Sequence, residues 1–110
     1  IDSDNIILST NNRVFKLVDK NLEYLFEYDN IDGFDVCNNH IWIHNNKDAL
    51  LYNIKYGYQY EYDKEEGIIG DFINSIGCDD EWVWFGTNNG ISFFNWIEYY
   101  NGSLLTKRET

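Results

Sequence analysis

Two twenty-residue stretches of the chain align with one another, and a repeat of that kind restricts the fold more than any single residue can. The first runs from Phe34 to Asn53 and the second from Ile76 to Asn95. Trp42 falls on Trp84, Asn46 on Asn88, Tyr52 on Phe94 and Asn53 on Asn95, all at a constant offset of 42. A third, shorter copy begins at Asn5 and matches His40 onward at an offset of 35. It places Asn11 on Asn46, and Val14 on Ala49 and Ile91.

A period of about 40 residues suits both helical repeats and the four-stranded blades of a β-propeller, so residue type has to decide. Ile41, Trp42 and Ile43, and Trp82 through Phe85, are short β-branched and aromatic runs bounded by Asn, Asp and Gly. That is how strands buried on both faces read, and inner strands of face-to-face blades must be apolar on both sides. Later in each copy the pattern changes to alternation. Tyr56, Tyr58, Tyr60 and Tyr62 interleave with Gly57, Gln59, Glu61 and Asp63, and Leu22, Tyr24, Phe26 and Tyr28 do the same with Glu23, Leu25, Glu27 and Asp29. A period of two with one polar side predicts outer strands with one wet face.

The expected fold is therefore all-β, with antiparallel four-stranded blades forming a partial β-propeller of about two and a half blades from a larger ring. Residues 1–110 form one such unit, with blade repeats near 1–30, 31–66 and 67–110. Strands are expected near 5–10, 13–18 and 22–29, then 32–37, 40–44, 49–54 and 56–63, then 72–78, 82–86 and 91–97. A further outer strand is expected somewhere in 99–106, and helix almost nowhere. Trp42 and Trp84, at equivalent positions, are both expected to pack between blades.

The chain opens on Ile1, contains no Met and stops at Lys107, Arg108, Glu109 and Thr110, which reads as a piece of a longer protein. Eight Lys and Arg against nineteen Asp and Glu give a formal charge of −11, a field that repels phosphate backbones and anionic lipid. Nucleic acid is not an expected partner, and no apolar run is long enough for direct membrane insertion. The doubled Asn at 11–12, 38–39, 45–46 and 88–89 mark turns, because Asn tolerates left-handed backbone angles. Cys37 and Cys78 lack CxxC spacing and are too few for a disulfide scaffold, so they are expected to be two small buried hydrophobes.

From Trp82 to Trp96 the sequence resembles the two-component regulator propeller repeat, with Trp84, Gly86, Thr87, Asn89 and Gly90 at the motif positions. The second copy keeps Trp42 but has His44 and Asn45 in place of Gly-Thr and Asp48 in place of the turn Gly. The first copy has Ile7 at the Trp position, and Glu81 replaces the Gly usual in the acidic turn. This resemblance implies a non-catalytic sensory propeller of an extracytoplasmic bacterial two-component receptor, periplasmic or extracellular, that senses a glycan. Similar repeats in cell-surface and secretion assemblies imply the alternative, a structural or protein-interaction propeller. The expected partners are the remaining blades of the same propeller or further copies, together with an oligosaccharide or protein ligand.

No constellation in the sequence calls for catalysis, a cofactor or a metal. His40 and His44 lie on one strand about 13 Å apart, too far to share an ion. Asp2, Ser3, Asp4 and Asn5 open like a calcium loop, but Ile7 and Arg13 stand where that loop needs Gly and a bidentate Glu. Asp79, Asp80 and Glu81 read as a solvated turn, and Asn101 to Ser103 fits a glycosylation sequon that arises often by chance. Sugars stack on free aromatic faces, and Trp96, Tyr99 and Tyr100, which have no counterpart in the other copies, are the candidates for such contacts.

Overall fold

In the computed structural model, described here for residues 6–62 and 72–97, the chain forms three antiparallel sheets in sequence order. Sheet 1 contains β1 (Ile6–Ser9), β2 (Arg13–Val18) and β3 (Asn21–Glu27). Sheet 2 contains β4 (Gly33–Cys37), β5 (His40–His44), β6 (Ala49–Asn53) and β7 (Gln59–Tyr62). Sheet 3 contains β8 (Ile73–Cys78), β9 (Trp82–Thr87) and β10 (Gly90–Asn95). Each strand pairs with the one before it, so every sheet is a meander with short turns. Among the described residues only 96 and 97 are helical, and the strand expected in 99–106 lies outside them.

Register confirms that the sheets are copies. Trp42 pairs with Asp35 and Leu51 in sheet 2, and Trp84 pairs with Gly77 and Phe93 in sheet 3, each pair displaced by 42. In sheet 1, β1 and β2 occupy the places of β5 and β6, which leaves no counterpart of β4 among the described residues. The turns are built from side chains that hold their own backbone. Asn45 Oδ1 accepts from the amides of Lys47 and Asp48, Asn53 Oδ1 from those of Lys55 and Tyr56, and Asp79 Oδ1 from those of Glu81 and Trp82. Asn38 and Asn39 both have positive φ, 47° and 62°, which is why a doublet of Asn can close the tight turn between β4 and β5.

The sheets stack face to face around two apolar layers. Between sheets 1 and 2 lie Val14, Phe26, Ile41, Ile43, Leu50 and Tyr52, with Phe26 stacked on Tyr52 at 4.3 Å. Between sheets 2 and 3 lie Trp42, Leu51, Tyr62, Val83, Phe85 and Trp96, among others. Strand alternation explains the split, because Ile41 and Ile43 point one way from β5 and Trp42 the other. As a result β5 and β6 are buried at every position.

Four expectations need correction. Cys37 and Cys78 are joined by a disulfide that ties sheet 2 to sheet 3. Their separation of 41 is one less than the repeat, and that difference of one residue is the reason they meet. Two cysteines at the repeat spacing would lie on like faces of successive sheets, whereas an odd shift turns them onto facing sides. Beside the bridge, Asp35 Oδ2 accepts from the Cys78 amide at 2.9 Å, a second link between the two sheets.

The alternation at Leu22 to Tyr28 is broken by a bulge: Val14 pairs with Phe26 but Phe15 pairs with Tyr24, leaving Leu25 as the extra residue. Leu22 and Tyr24 are consequently exposed on one face while Phe26 is buried on the other. The last strand of sheet 2 starts only at Gln59, because Gly57 has a φ of 77° and turns the chain. Tyr56 and Tyr58 therefore sit exposed in the turn before β7, stacked on each other at 5.8 Å.

Finally, the two equivalent tryptophans have unlike surroundings. Trp42 is 0% exposed, held among Tyr62, Phe85 and Trp96. Trp84 is 41% exposed, because its side of sheet 3 faces away from sheet 2 and no fourth sheet covers it among the described residues.

Candidate functional site

Most of the exposed large apolar side chains gather on the two outer faces of the described sheets. On sheet 3, Trp82, Trp84, Ile91 and Phe93 project to the same open side, with Trp82 and Phe93 in tilted ring contact at 5.7 Å. Ile91 and Phe93 are 71% and 64% exposed, values that large apolar side chains rarely keep in clusters on a lone soluble surface. The Trp84 indole lies across β8 over Gly77, where a Cβ would overlap it. Glycine is required at Gly77 for that close approach, and it lets the indole lie flat as part of the face.

Sheet 1 presents a second open face made of Ile6, Leu8, Phe15, Leu17, Leu22 and Tyr24. Phe15 and Tyr24 meet edge to face at 5.9 Å and, with Arg13 and Glu27, line a groove of about 430 Å³. Arg13 Nε and Glu27 Oε2 stand 3.5 Å apart at its margin, both well exposed, so the pair is worth little to stability.

The candidates singled out in the sequence are placed differently. His40 and His44 are buried in β5 with Nδ1 near the Asn38 and Asn45 carbonyls, at 2.6 and 2.9 Å. Both rings serve the turns at the two ends of their strand. Among the described residues no group of His, Cys, Asp and Glu could hold a metal ion. Asp79 caps its turn, and the amides of Trp82 and then Glu81 hold its carboxyl below the usual carboxylate range. Trp96 is not a free aromatic face. It is fully buried, donates from Nε1 to the Asp79 carbonyl at 2.9 Å and packs edge-on against Trp42 and His40. Asp2 to Asn5, Tyr99, Tyr100 and the Asn101 to Ser103 sequon lie outside the described residues.

Two tyrosines have hydroxyls pushed up in pKa. Burial is the first cause for Tyr28, aided by the charges of Asp48 and Glu61. Burial also leads for Tyr52, with the charge of Glu23 second. Both rings belong to the layer between sheets 1 and 2, and neither opens on the exposed faces. A partial ring is expected from its sequence to leave apolar blade faces open, and sheets 1 and 3 carry them; the exposure of Trp84 was not expected, because a position buried in one copy was taken to be buried in all.

No family model matches the chain, and no curated protein does. Among solved structures, the N-terminal domain of Nup159, a β-propeller, matches with a TM-score of 0.66 at 14% sequence identity. The match covers 86% of this chain and 25% of that one. The fold is part of a β-propeller. The chain thus spans about a quarter of that solved propeller, consistent with blades stacked beside others in a larger ring.

Proposed function

We propose that the chain is a non-catalytic propeller segment that works through protein contact, as a structural or interaction module. The carrying observation is the pair of open apolar faces at the two ends of the stack. Their exposed Trp, Phe, Ile and Leu side chains match the chemistry of interface cores. The disulfide between Cys37 and Cys78 supports an extracytoplasmic setting, periplasmic or extracellular, since such bridges persist in oxidising compartments. Other blades, in the same protein or in another copy, are the partners this surface suits best.

A second reading, an oligosaccharide-sensing propeller of a two-component receptor, draws support from the groove where Phe15 and Tyr24 stand beside Arg13 and Glu27. Aromatic faces with flanking hydrogen-bonding groups are what sugar rings need. Calorimetric titration of the chain with glycan fragments separates the two. The interaction module gives no saturable heat; saturable heat that is lost in Tyr24→Ala overturns it in favour of the sensor.

A further inference from the structure

We infer that sheet 3 of one chain docks on sheet 1 of a second copy, so that the open ends of two stacks cover each other. The inference rests on the reading of the chain as an interaction module and names its partner. It follows from register. Ile41 and Ile43 of β5 and Val83 and Phe85 of β9 occupy equivalent positions, and each pair faces the preceding sheet. The offset of 35 puts Ile6 and Leu8 of β1 at those same positions, on the side of sheet 1 that nothing covers among the described residues. Sheet 1 therefore presents what a following sheet presents, and sheet 3, with Trp84 at the place of Trp42, presents what a preceding sheet presents.

The junction between sheets 2 and 3 supplies the template. There Trp42 meets Phe85 edge to face at 5.8 Å. Carried one step further, Trp84 meets Leu8 of the second copy, with Phe15, the cross-strand partner of Leu8, alongside. Charge favours this pairing over sheet 3 against sheet 3. Residues 72–97 carry Asp79, Asp80 and Glu81 with no Lys or Arg, so two such sheets repel. Residues 6–27 balance Arg13, Lys16 and Lys20 against Asp19, Glu23 and Glu27 and carry no such repulsion.

The three sheets among the described residues of each of two copies make six, within the four to eight blades at which propellers close. The contact is heterologous, so the two-copy ring requires that the rotation carried through both copies bring the second open sheet 3 back to the first sheet 1.

Sedimentation of the 110-residue chain, its Leu8→Glu and Trp84→Glu variants and an equimolar mixture of the two tests this, with circular dichroism confirming that each variant folds. Wild type is expected at twice 13.1 kDa. Each variant alone places a charge in both junctions and should weaken association by at least about 30-fold. The mixture should regain association, because one of its two junctions joins unaltered faces. Ile6→Glu and Ile91→Glu replace either variant that does not fold. A wild-type monomer up to about 200 μM, well above ordinary interface affinities, overturns the inference. So does a dimer broken by Trp84→Glu but indifferent to Leu8→Glu, or a mixture that stays monomeric. Growth without limit at rising concentration overturns ring closure. None of these outcomes bears on glycan binding, so this inference and the interaction-module reading fail separately.

Discussion

Trp42 and Trp84 occupy one register position and do different work, because a side chain's contribution depends on whether the next sheet is there to receive it. Replacing Trp42 with Ala empties a closed aromatic cluster and should cost about 3–5 kcal/mol in urea denaturation. Trp84→Ala, trimming a half-open face, should cost the single chain about 1 kcal/mol or less. Asp79 acts through hydrogen bonds to the Trp82 and Glu81 amides. Since its folded pKa lies below the ordinary 3.8, the stability it adds is present above that value and lost as pH falls further. Asp79→Ala should be less stable than wild type at neutral pH and converge with it in acid, which thermal melts at stepped pH will show.

At the scale of elements, the bridge between β4 and β8 ties together sheets that otherwise meet through side chains and a few hydrogen bonds. On the chain-entropy model, closing a loop of this length contributes about 4 kcal/mol, so reduction or Cys37→Ser with Cys78→Ser should lower the urea midpoint accordingly. Among the described residues, nine of the ten strands match expectation to within a residue or two because the repeat supplied each boundary more than once. β7 is the exception: its run of alternating tyrosines looks like strand from Tyr56, but Gly57 adopts a left-handed angle that alternation cannot reveal. The bulge at Leu25 is hidden for a similar reason, since one extra residue leaves the composition unchanged and reverses the faces before and after it. The bridge was readable in principle. A spacing of one less than the repeat puts two cysteines on facing sheets, a parity argument that spacing motifs such as CxxC do not contain. Trp96 was taken for a free face because it has no counterpart in the other copies, yet position after β10 carries it back into the core beside Trp42.

At the scale of the whole molecule, the three sheets among the described residues follow sequence order with an apolar face at each end of the stack, which explains why a strongly acidic chain still exposes Trp, Phe, Ile and Leu together. Its central claim is that sheets 2 and 3 are register copies pressed face to face, displaced by 42 residues, with facing side chains set by strand parity. Mass spectrometry of an unreduced digest of the chain, oxidised in dilute solution, tests that contact most directly. The account predicts one peptide pair, linked through Cys37 and Cys78 within a single chain. Two free thiols after oxidation, or links found only between chains, would contradict it.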